Sequence, residues 1–251
     1  MRYAVLSDIH SNLEAFTAVL EALASERIDR YLCLGDILGY GADPAACLSR
    51  LQVCEAVTVA GNHDLACIGK FSVDWFNNAA KAALAWTRNR LGFLEMDFLR
   101  RLTLTEVVEP FTLVHGTLTY PARFEYLAEA GQAVDTLTAC RTLVCLVGHT
   151  HLPCVIEYDR GRRQLTRFLT RPDALREVTF TDRSETMRYL VNPGSVGQPR
   201  DGDPRASFAI IDADRHTIAI RRVPYDVASA QRKIREAGLP LFLAERLASG
   251  R

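Results

Sequence analysis

Ala4-Val5-Leu6-Ser7-Asp8-Ile9-His10-Ser11-Asn12-Leu13 joins three signals in ten residues. An apolar run ends in an Asp-x-His motif, and behind it Leu13, Phe16, Leu20 and Leu23 recur at helical spacing. A strand thus delivers an acid and an imidazole to the turn that enters a helix. Four more clusters follow runs of the same kind: Gly35-Asp36, Gly61-Asn62-His63-Asp64, His115-Gly116 and Gly148-His149-Thr150-His151. Five of the six histidines fall in these clusters, and His216, in a polar turn, is expected at the surface.

The runs that precede the clusters, Tyr31 to Leu34, Ala56 to Ala60, Phe111 to Val114 and Leu143 to Val147, are continuously apolar or β-branched, as in strands covered on both faces. Amphipathic stretches lie between them. Asp43-Pro44 reads as an N-cap followed by Pro at the first helical position, and the segment from Asp74 to Arg90 reads as a helix closed by Gly92. Strands alternating with helices predict βαβ units and a largely parallel sheet. After residue 151, segments at 155–158, 164–169, 189–191, 207–212 and 217–222 follow one another with short polar connections and predict a second, antiparallel sheet. A helix from Asp226 to Ala237 stops at Gly238, the helical pattern resumes through Leu241 to Leu247, and Leu239 to Leu247 either covers the core or makes a dimer contact. The charged 171–188 stretch is either a mobile loop or insertion, or an ordinary solvated connection.

Bulk properties narrow the function. The chain has 251 residues, enough for a full core, and one domain is expected over 1–251, with 224–251 as a C-terminal helical extension packed on it. Thirty basic and thirty acidic residues cancel, so no global field favours nucleic acid or an anionic membrane. No stretch reaches the ~20 apolar residues of a membrane span, and Met1-Arg2-Tyr3 leads directly into a strand, so a cytoplasmic protein is expected. Seven cysteines without a C-x-x-C pair fit neither a disulfide framework nor a thiolate zinc site. Cys67, four residues after His63, is expected to pack beside the site.

In an open α/β sheet, ligands bind beyond the carboxyl ends of the strands, which is where every cluster lies. Asp, Asn and His offer oxygen and imidazole donors suited to Mn, Fe, Zn or Co. Two such ions share a ligand, and a carboxylate can bridge because it has two oxygens; Asp36 is the natural bridge. Residues two apart in extended backbone point the same way, so Asp8 with His10, and His149 with His151, are expected to converge. The glycines at 35, 61, 116 and 148 allow tight turns and close backbone approach.

The ordered series D-x-H, G-D, G-N-H-D, H-G, G-H-x-H resembles the calcineurin-like metallophosphoesterase superfamily. The stretches Asp8 to Asn12, Gly35 to Gly41 and Asn192-Pro193-Gly194-Ser195-Val196-Gly197-Gln198-Pro199-Arg200 resemble a bacterial and archaeal branch close to diadenosine tetraphosphatase-like phosphodiesterases. The resemblance implies a four-layer α/β/β/α sandwich of two mixed sheets flanked by helices. It implies two metal ions, one held by Asp8, His10 and His151, the other by Asn62, His115 and His149, with Asp36 between them. His63 is then the residue that meets the phosphoryl group and protonates the leaving oxygen, and Asp64 orients its ring. Metal-activated water attacks phosphorus in line.

Where the protein Ser/Thr phosphatase branch has Asp-Arg-Gly after its G-D motif, this chain has Leu38-Gly39-Tyr40-Gly41, which points away from that branch. A neutral chain does not advertise the basic path that an exonuclease needs. The expected substrate is therefore a small nucleotide-type phosphodiester or phosphoanhydride, such as a dinucleoside polyphosphate. The alternatives are a broad or cyclic-nucleotide phosphodiesterase and, from another class, a non-catalytic scaffold. Tyr40 is a candidate for stacking on a base and Arg200 for holding a distal phosphate. Asn12 either touches substrate or caps the first helix. The 192–200 segment is either a rigid turn or a pocket loop.

Overall fold

In the computed structural model, which describes residues 1–127, 129–171, 175–181 and 185–251, the strands form two six-stranded sheets. The first sheet has the order β3-β2-β1-β11-β12-β9, built from β1 (Arg2–Leu6), β2 (Arg30–Cys33), β3 (Val57–Thr58), β9 (Val178–Thr179), β11 (Ala206–Asp212) and β12 (Thr217–Val223). The second has the order β4-β5-β6-β10-β7-β8, from β4 (Thr105–Val108), β5 (Phe111–Val114), β6 (Val144–Leu146), β7 (Cys154–Asp159), β8 (Gln164–Leu169) and β10 (Met187–Asn192). Both sheets are mixed. β1, β2 and β3 run parallel, as do β5, β6 and β10, while β11 joins β1 and β7 joins β10 antiparallel.

The predicted split of the two sheets along the chain is therefore corrected. β11 and β12 come from the antiparallel second half yet extend the first sheet, and β5 and β6 come from the first half yet belong to the second sheet. Polar connections of similar length reveal that strands follow one another, but not which edge they join.

Alternation within the strands explains the layers. Tyr3 and Val5 of β1 face the space between the sheets, where Leu32, Leu34, Phe111, Val144, Val155 and Val191 also lie; Ala4 and Leu6 face the opposite side with Phe16, Val19 and Leu48. The helices on that side are α1 (Leu13–Leu23) and α2 (Pro44–Val53), and α6 (Ala130–Ala139) covers the outer face of the second sheet through Ala133 and Leu137. Strands buried on both faces read as continuous apolar runs, and each Leu or Val removed from water contributes about 1.5–3 kcal/mol. The chain is thus a four-layer α/β/β/α sandwich.

Three local expectations change. The Asp74–Arg90 helix begins only at α4 (Asn78–Arg88), where the Asn77 side chain accepts the Ala80 amide; a short turn, Val73–Trp75, precedes it. Gly92 does not close that helix: it heads α5 (Phe93–Arg101) at φ −83°. In the charged 171–188 stretch, residues 172–174 and 182–184 lie outside the described residues. Leu175 and Val178 are buried between the sheets, and β9 pairs with β12, so the described part is tied to the fold and is no free loop.

After α3 (Asn62–Cys67), the remaining helices are α7 (Val227–Glu236) and α8 (Leu241–Glu245). Asp226 caps α7 through the Ser229 amide, and Gly238 follows it at φ +69°. Ala230, Ile234, Leu243 and Leu247 pack with Ala80, Ala83 and Tyr40, so the 241–247 segment covers a core and leaves Leu241 and Phe242 exposed. Lys233 of α7 bonds Asp43 Oδ2 at 2.8 Å, and Asp43 makes no cap bond to α2. Among the described residues no helix is long and apolar enough to cross a membrane.

Candidate metal centre

All five clusters meet at one rim, beyond the carboxyl ends of β1, β2, β3, β5 and β6. Asp8, His10, Asp36, Asn62, His115, His149 and His151 are buried there. Asp36 stands in the middle: its Oδ2 lies 3.3 Å from His115 Nε2 and 3.7 Å from His10 Nε2. His151 Nε2 is 3.2 Å from Asp8 Oδ1, and His115 Nε2 is 3.1 Å from His149 Nδ1. Among the described residues, three groups bring ligand atoms close enough to share an ion: Asp8-His10-His151, Asp36-His115-His149 and His10-Asp36-His63.

The residues two apart do converge, but not through extended backbone. Asp8 and His10 have φ of 54° and 50°, and His149 and His151 have 66° and 61°; Asp36 and Tyr40 are left-handed as well. Such conformations cost about 1–3 kcal/mol each and persist only where their surroundings enforce them. The enforcement is visible. Asp8, His10 and Ser11 donate their amides to the carbonyls of Gly35, Asp36 and Ile37, locking the first cluster to the second. The 192–200 segment braces both: Ser195 Oγ and the Gly197 amide donate to Asp8 O, and Asn192 Nδ2 donates to Gly148 O and Thr150 Oγ1. That segment is both a rigid brace and, at Arg200, part of the cavity wall.

Two glycines are required by close approach. A Cβ at Gly148 meets Ser7 Oγ at 2.0 Å, and one at Gly61 meets Asp36 Oδ1 at 2.0 Å and the Asp36 amide nitrogen at 2.3 Å. The Ser7 hydroxyl and the His149 amide both donate to Asp8 Oδ2, which leaves Oδ1 facing inward without a partner. Asn62 Oδ1 is likewise buried without a donor.

The rings are oriented from outside. The Nδ1 atoms of His10, His115 and His151 lie 2.8, 2.7 and 2.5 Å from the carbonyls of Leu38, Leu34 and Gln198. A carbonyl only accepts, so each Nδ1 carries the proton and each Nε2 turns toward the centre, as in metal-ligating imidazoles. Burial holds His10 well below its ordinary value and also lowers His151, so both are neutral. Burial pushes His115 down too, but the Asp36 carboxylate overrides it and raises the ring to about 9; burial, then His115, lowers His149 to about 3. At His10, His151, Asp8 and Asn62, inward acceptors without donors are the donor set that cations satisfy, and His115 joins it on giving up its proton.

His63 sits on the cavity side, its backbone amide held by Asp36 Oδ1 at 2.9 Å. Burial lowers it to about 4. The expectation that Asp64 orients its ring is corrected: Asp64 Oδ1 accepts the Leu38 amide and Oδ2 the Gly61 amide, while His63 Nδ1 has no partner. Asp64 therefore clamps the Asp36 loop to the Asn62 turn. Burial, then Asp36, raises its carboxyl to about 7. Of the two readings of Asn12, the cap is the one seen: its Oδ1 accepts the Ala15 amide at the start of α1, and its Nδ2 donates to Gly197 O. Cys67 is buried in the helical-face core, and burial pushes its thiol up, so it is packing.

A cavity of about 680 Å³ opens above the centre. Asp36, Asn62, His63, His149 and His151 form its floor, and Tyr40 and Arg200 line it. Tyr40 packs 4.5 Å from the ring centres of both His10 and His63 and is buried, so it supports the floor more than it offers a face. Arg200 donates to Gln198 Oε1 at 3.0 Å, while its buried Nε lacks an acceptor. Asn77, Ala80, Ala122, Arg123 and Glu125 complete the lining, and the aromatic part of the wall, Phe71, Trp75, Phe76, Phe124 and Tyr126, lies outside every motif of the sequence. Its only advance signal is the Phe71-Ser72-Val73-Asp74-Trp75-Phe76 run, which places three aromatics in six residues. His216 lies apart, edge-on to Phe180.

The comparisons agree with this geometry. The chain is 38% identical over 252 residues to the protein MJ0912 of Methanocaldococcus jannaschii, covering 99% of this chain and 98% of that one. A crystal structure of a metallophosphoesterase from Sphaerobacter thermophilus matches all of this chain and 99% of its own, with 38% identity and a TM-score of 0.86. The hypothetical protein PH1004 of Pyrococcus horikoshii shares the fold, with 22% identity and a TM-score of 0.77, over 100% of this chain and 98% of its own. Residues 1–216 match the calcineurin-like phosphoesterase superfamily domain. With clustered Asp and His at one rim of a two-sheet sandwich, the chain belongs to the calcineurin-like phosphoesterase superfamily and is a metal-dependent phosphoester hydrolase.

Proposed function

We propose that the chain hydrolyses a small nucleotide-type phosphodiester or phosphoanhydride, such as a dinucleoside polyphosphate, at a centre of two transition-metal ions, Mn, Fe or Zn, in the cytoplasm. The observation that carries this is the pairing of inward-facing, donor-free ligand atoms around Asp36 with a cavity that holds Arg200. Asp8, His10 and His151 would hold one ion and Asn62, His115 and His149 the other, with Asp36, whose Oδ2 lies within 3.7 Å of both His10 and His115, as the ligand they would share. When bound, two such cations supply a nucleophile from water near neutral pH and neutralise charge developing at phosphorus.

The chain's own residues do the rest. The carbonyls of Leu38, Leu34 and Gln198 hold three rings in one tautomer. Arg200 supplies a guanidinium on the cavity wall to pair with a phosphate oxygen. His63 rests neutral, and a phosphate beside it raises its pKa, so it gains its proton with substrate and can pass it to the leaving oxygen.

The test is hydrolysis of bis-p-nitrophenyl phosphate and diadenosine tetraphosphate, with and without Mn, by wild type and His63→Ala. Metal-dependent turnover of both is expected, with His63→Ala losing roughly 10²–10⁴-fold on the poor leaving group. Turnover of the simple diester with none of the nucleotide contradicts the substrate class. Unchanged turnover of the poor leaving group by His63→Ala contradicts the acid role.

A further inference from the structure

The cavity wall above the metal centre has a composition that selects one kind of ligand. Six aromatic residues line it, Tyr40, Phe71, Trp75, Phe76, Phe124 and Tyr126, and its only aliphatic side chains are Ala80 and Ala122. An acyl chain is matched by Leu, Ile and Met; flat rings are matched by flat rings.

These aromatics have two different jobs. Phe76 stands edge-on to His63 with ring centres 4.8 Å apart, and Phe71 stands edge-on to Phe76 at 6.0 Å and to Phe124 at 5.1 Å. Those three prop the 71–76 and 120–126 segments against each other and against the floor. Tyr126 stacks on His149, ring centres 4.0 Å apart and planes 20° apart, and keeps half its surface exposed. Trp75 lies between the anchored Phe71 and Phe76, in the Val73–Trp75 turn, and is 82% exposed at the cavity's edge. An exposed indole at the edge of an aromatic-lined cavity offers a face on which a planar ring can stack.

We infer that Trp75 is the specificity-determining residue that stacks the nucleobase of a free nucleotide substrate whose phosphate lies at the metal centre. The inference rests on the hydrolase reading for the phosphate end only. A volume of about 680 Å³ is within the roughly 300–1,000 Å³ of small-molecule sites. Arg123, over the Tyr120 ring at 4.3 Å, pairs with Glu125 at 3.6 Å and the two offset each other on the wall, so the positive charge left for the phosphates of a nucleotide is that of Arg200.

The experiment compares two ligands whose P–C–P bridge resists hydrolysis, α,β-methylene-ADP and methylenediphosphonate, by calorimetry on the metal-loaded full chain, with the nucleotide recovered intact afterwards as a control. Wild type is expected to prefer the nucleotide by about tenfold or more, Trp75→Ala to lose most of that preference, and Trp75→Phe to recover part of it. Intrinsic fluorescence gives a second readout: the nucleotide quenches wild type, and Trp75→Phe, which retains only Trp86, shows no quench. An equal preference in wild type and a folded Trp75→Ala overturns the inference. So does an oligodeoxyadenylate that binds more tightly than the nucleotide, because it moves the platform to single strands. Wild-type turnover of bis-p-nitrophenyl phosphate separates the two claims: turnover with an unmoved preference sinks only the base site, and a moved preference without turnover sinks only the hydrolase reading.

Discussion

The Nε2 atoms of His10 and His151 lie 3.2 Å apart while the Nδ1 of each ring donates to a carbonyl, Leu38 and Gln198 respectively. Two neutral imidazoles so arranged direct lone pairs at one another. A cation held by them would relieve that repulsion, and the unpartnered Asp8 Oδ1, 3.2 Å from His151 and 3.8 Å from His10, would join the same donor set. Metal is thus expected to stabilise the fold: at free metal 100-fold above Kd the gain is about 2.7 kcal/mol. Thermal unfolding with and without chelator measures it, and an unmoved Tm contradicts it.

The second half of the centre predicts a proton effect. Asp36 raises His115 to about 9 against the ordinary 6.5, and metal must displace that proton. Because the folded value is raised, the protonated pair stabilises the metal-free protein fully below pH 6.5, and this contribution is lost as pH rises through about 9. Metal uptake near pH 7.5 should therefore release a proton and tighten as pH rises toward 9. Calorimetry in buffers of different ionisation enthalpy counts the proton; a buffer-independent enthalpy contradicts the assignment.

Asp36→Asn keeps the shape but removes the charge shared by His10 and His115. Metal affinity and turnover are expected to fall at least 10–100-fold, roughly the loss seen for groups that only support a ligand. Retention of both metals by this variant argues against a bridging role.

Gly61→Ala forces a methyl against Asp36 Oδ1 and its backbone nitrogen. The backbone contact cannot rotate away, so we expect about 1–3 kcal/mol of destabilisation with loss of bound metal. Chemical denaturation of the variant gives the number, and a value near zero shows that the turn relaxes.

Arg200→Ala should raise KM roughly tenfold on phosphoanhydrides with a smaller change in kcat, since the guanidinium binds ground and transition states alike. Arg200→Lys should not restore it, because an ammonium lacks the planar fork. Steady-state kinetics on the three proteins decide this; full rescue by Lys indicates a point charge only.

Much of the centre was legible because ligand chemistry is local. The seven candidate ligands and His63 lie in short motifs at strand ends, and apolar runs buried on both faces announce those strands. What was not legible depends on partners distant in sequence. The resemblance implies that Asp64 orients its neighbour His63, whereas its oxygens serve Leu38 and Gly61. Asn12 had two readings, and only the approach of Gly197, 185 residues on, uses up its amide. β11 joins β1 across the first sheet, a choice of edge that hydrophobic alternation does not encode. The aromatic wall arises because Phe71 meets Phe124, and neither lies in a motif.

The central claim is a two-ion centre organised by Asp36. Elemental analysis of the purified full chain after Mn loading and removal of free metal tests it most directly, read beside turnover of bis-p-nitrophenyl phosphate. About two ions per chain in wild type, with fewer in Asp36→Asn and turnover that tracks occupancy, is the predicted result. Wild-type protein that binds no metal after loading, yet hydrolyses the diester, contradicts the account.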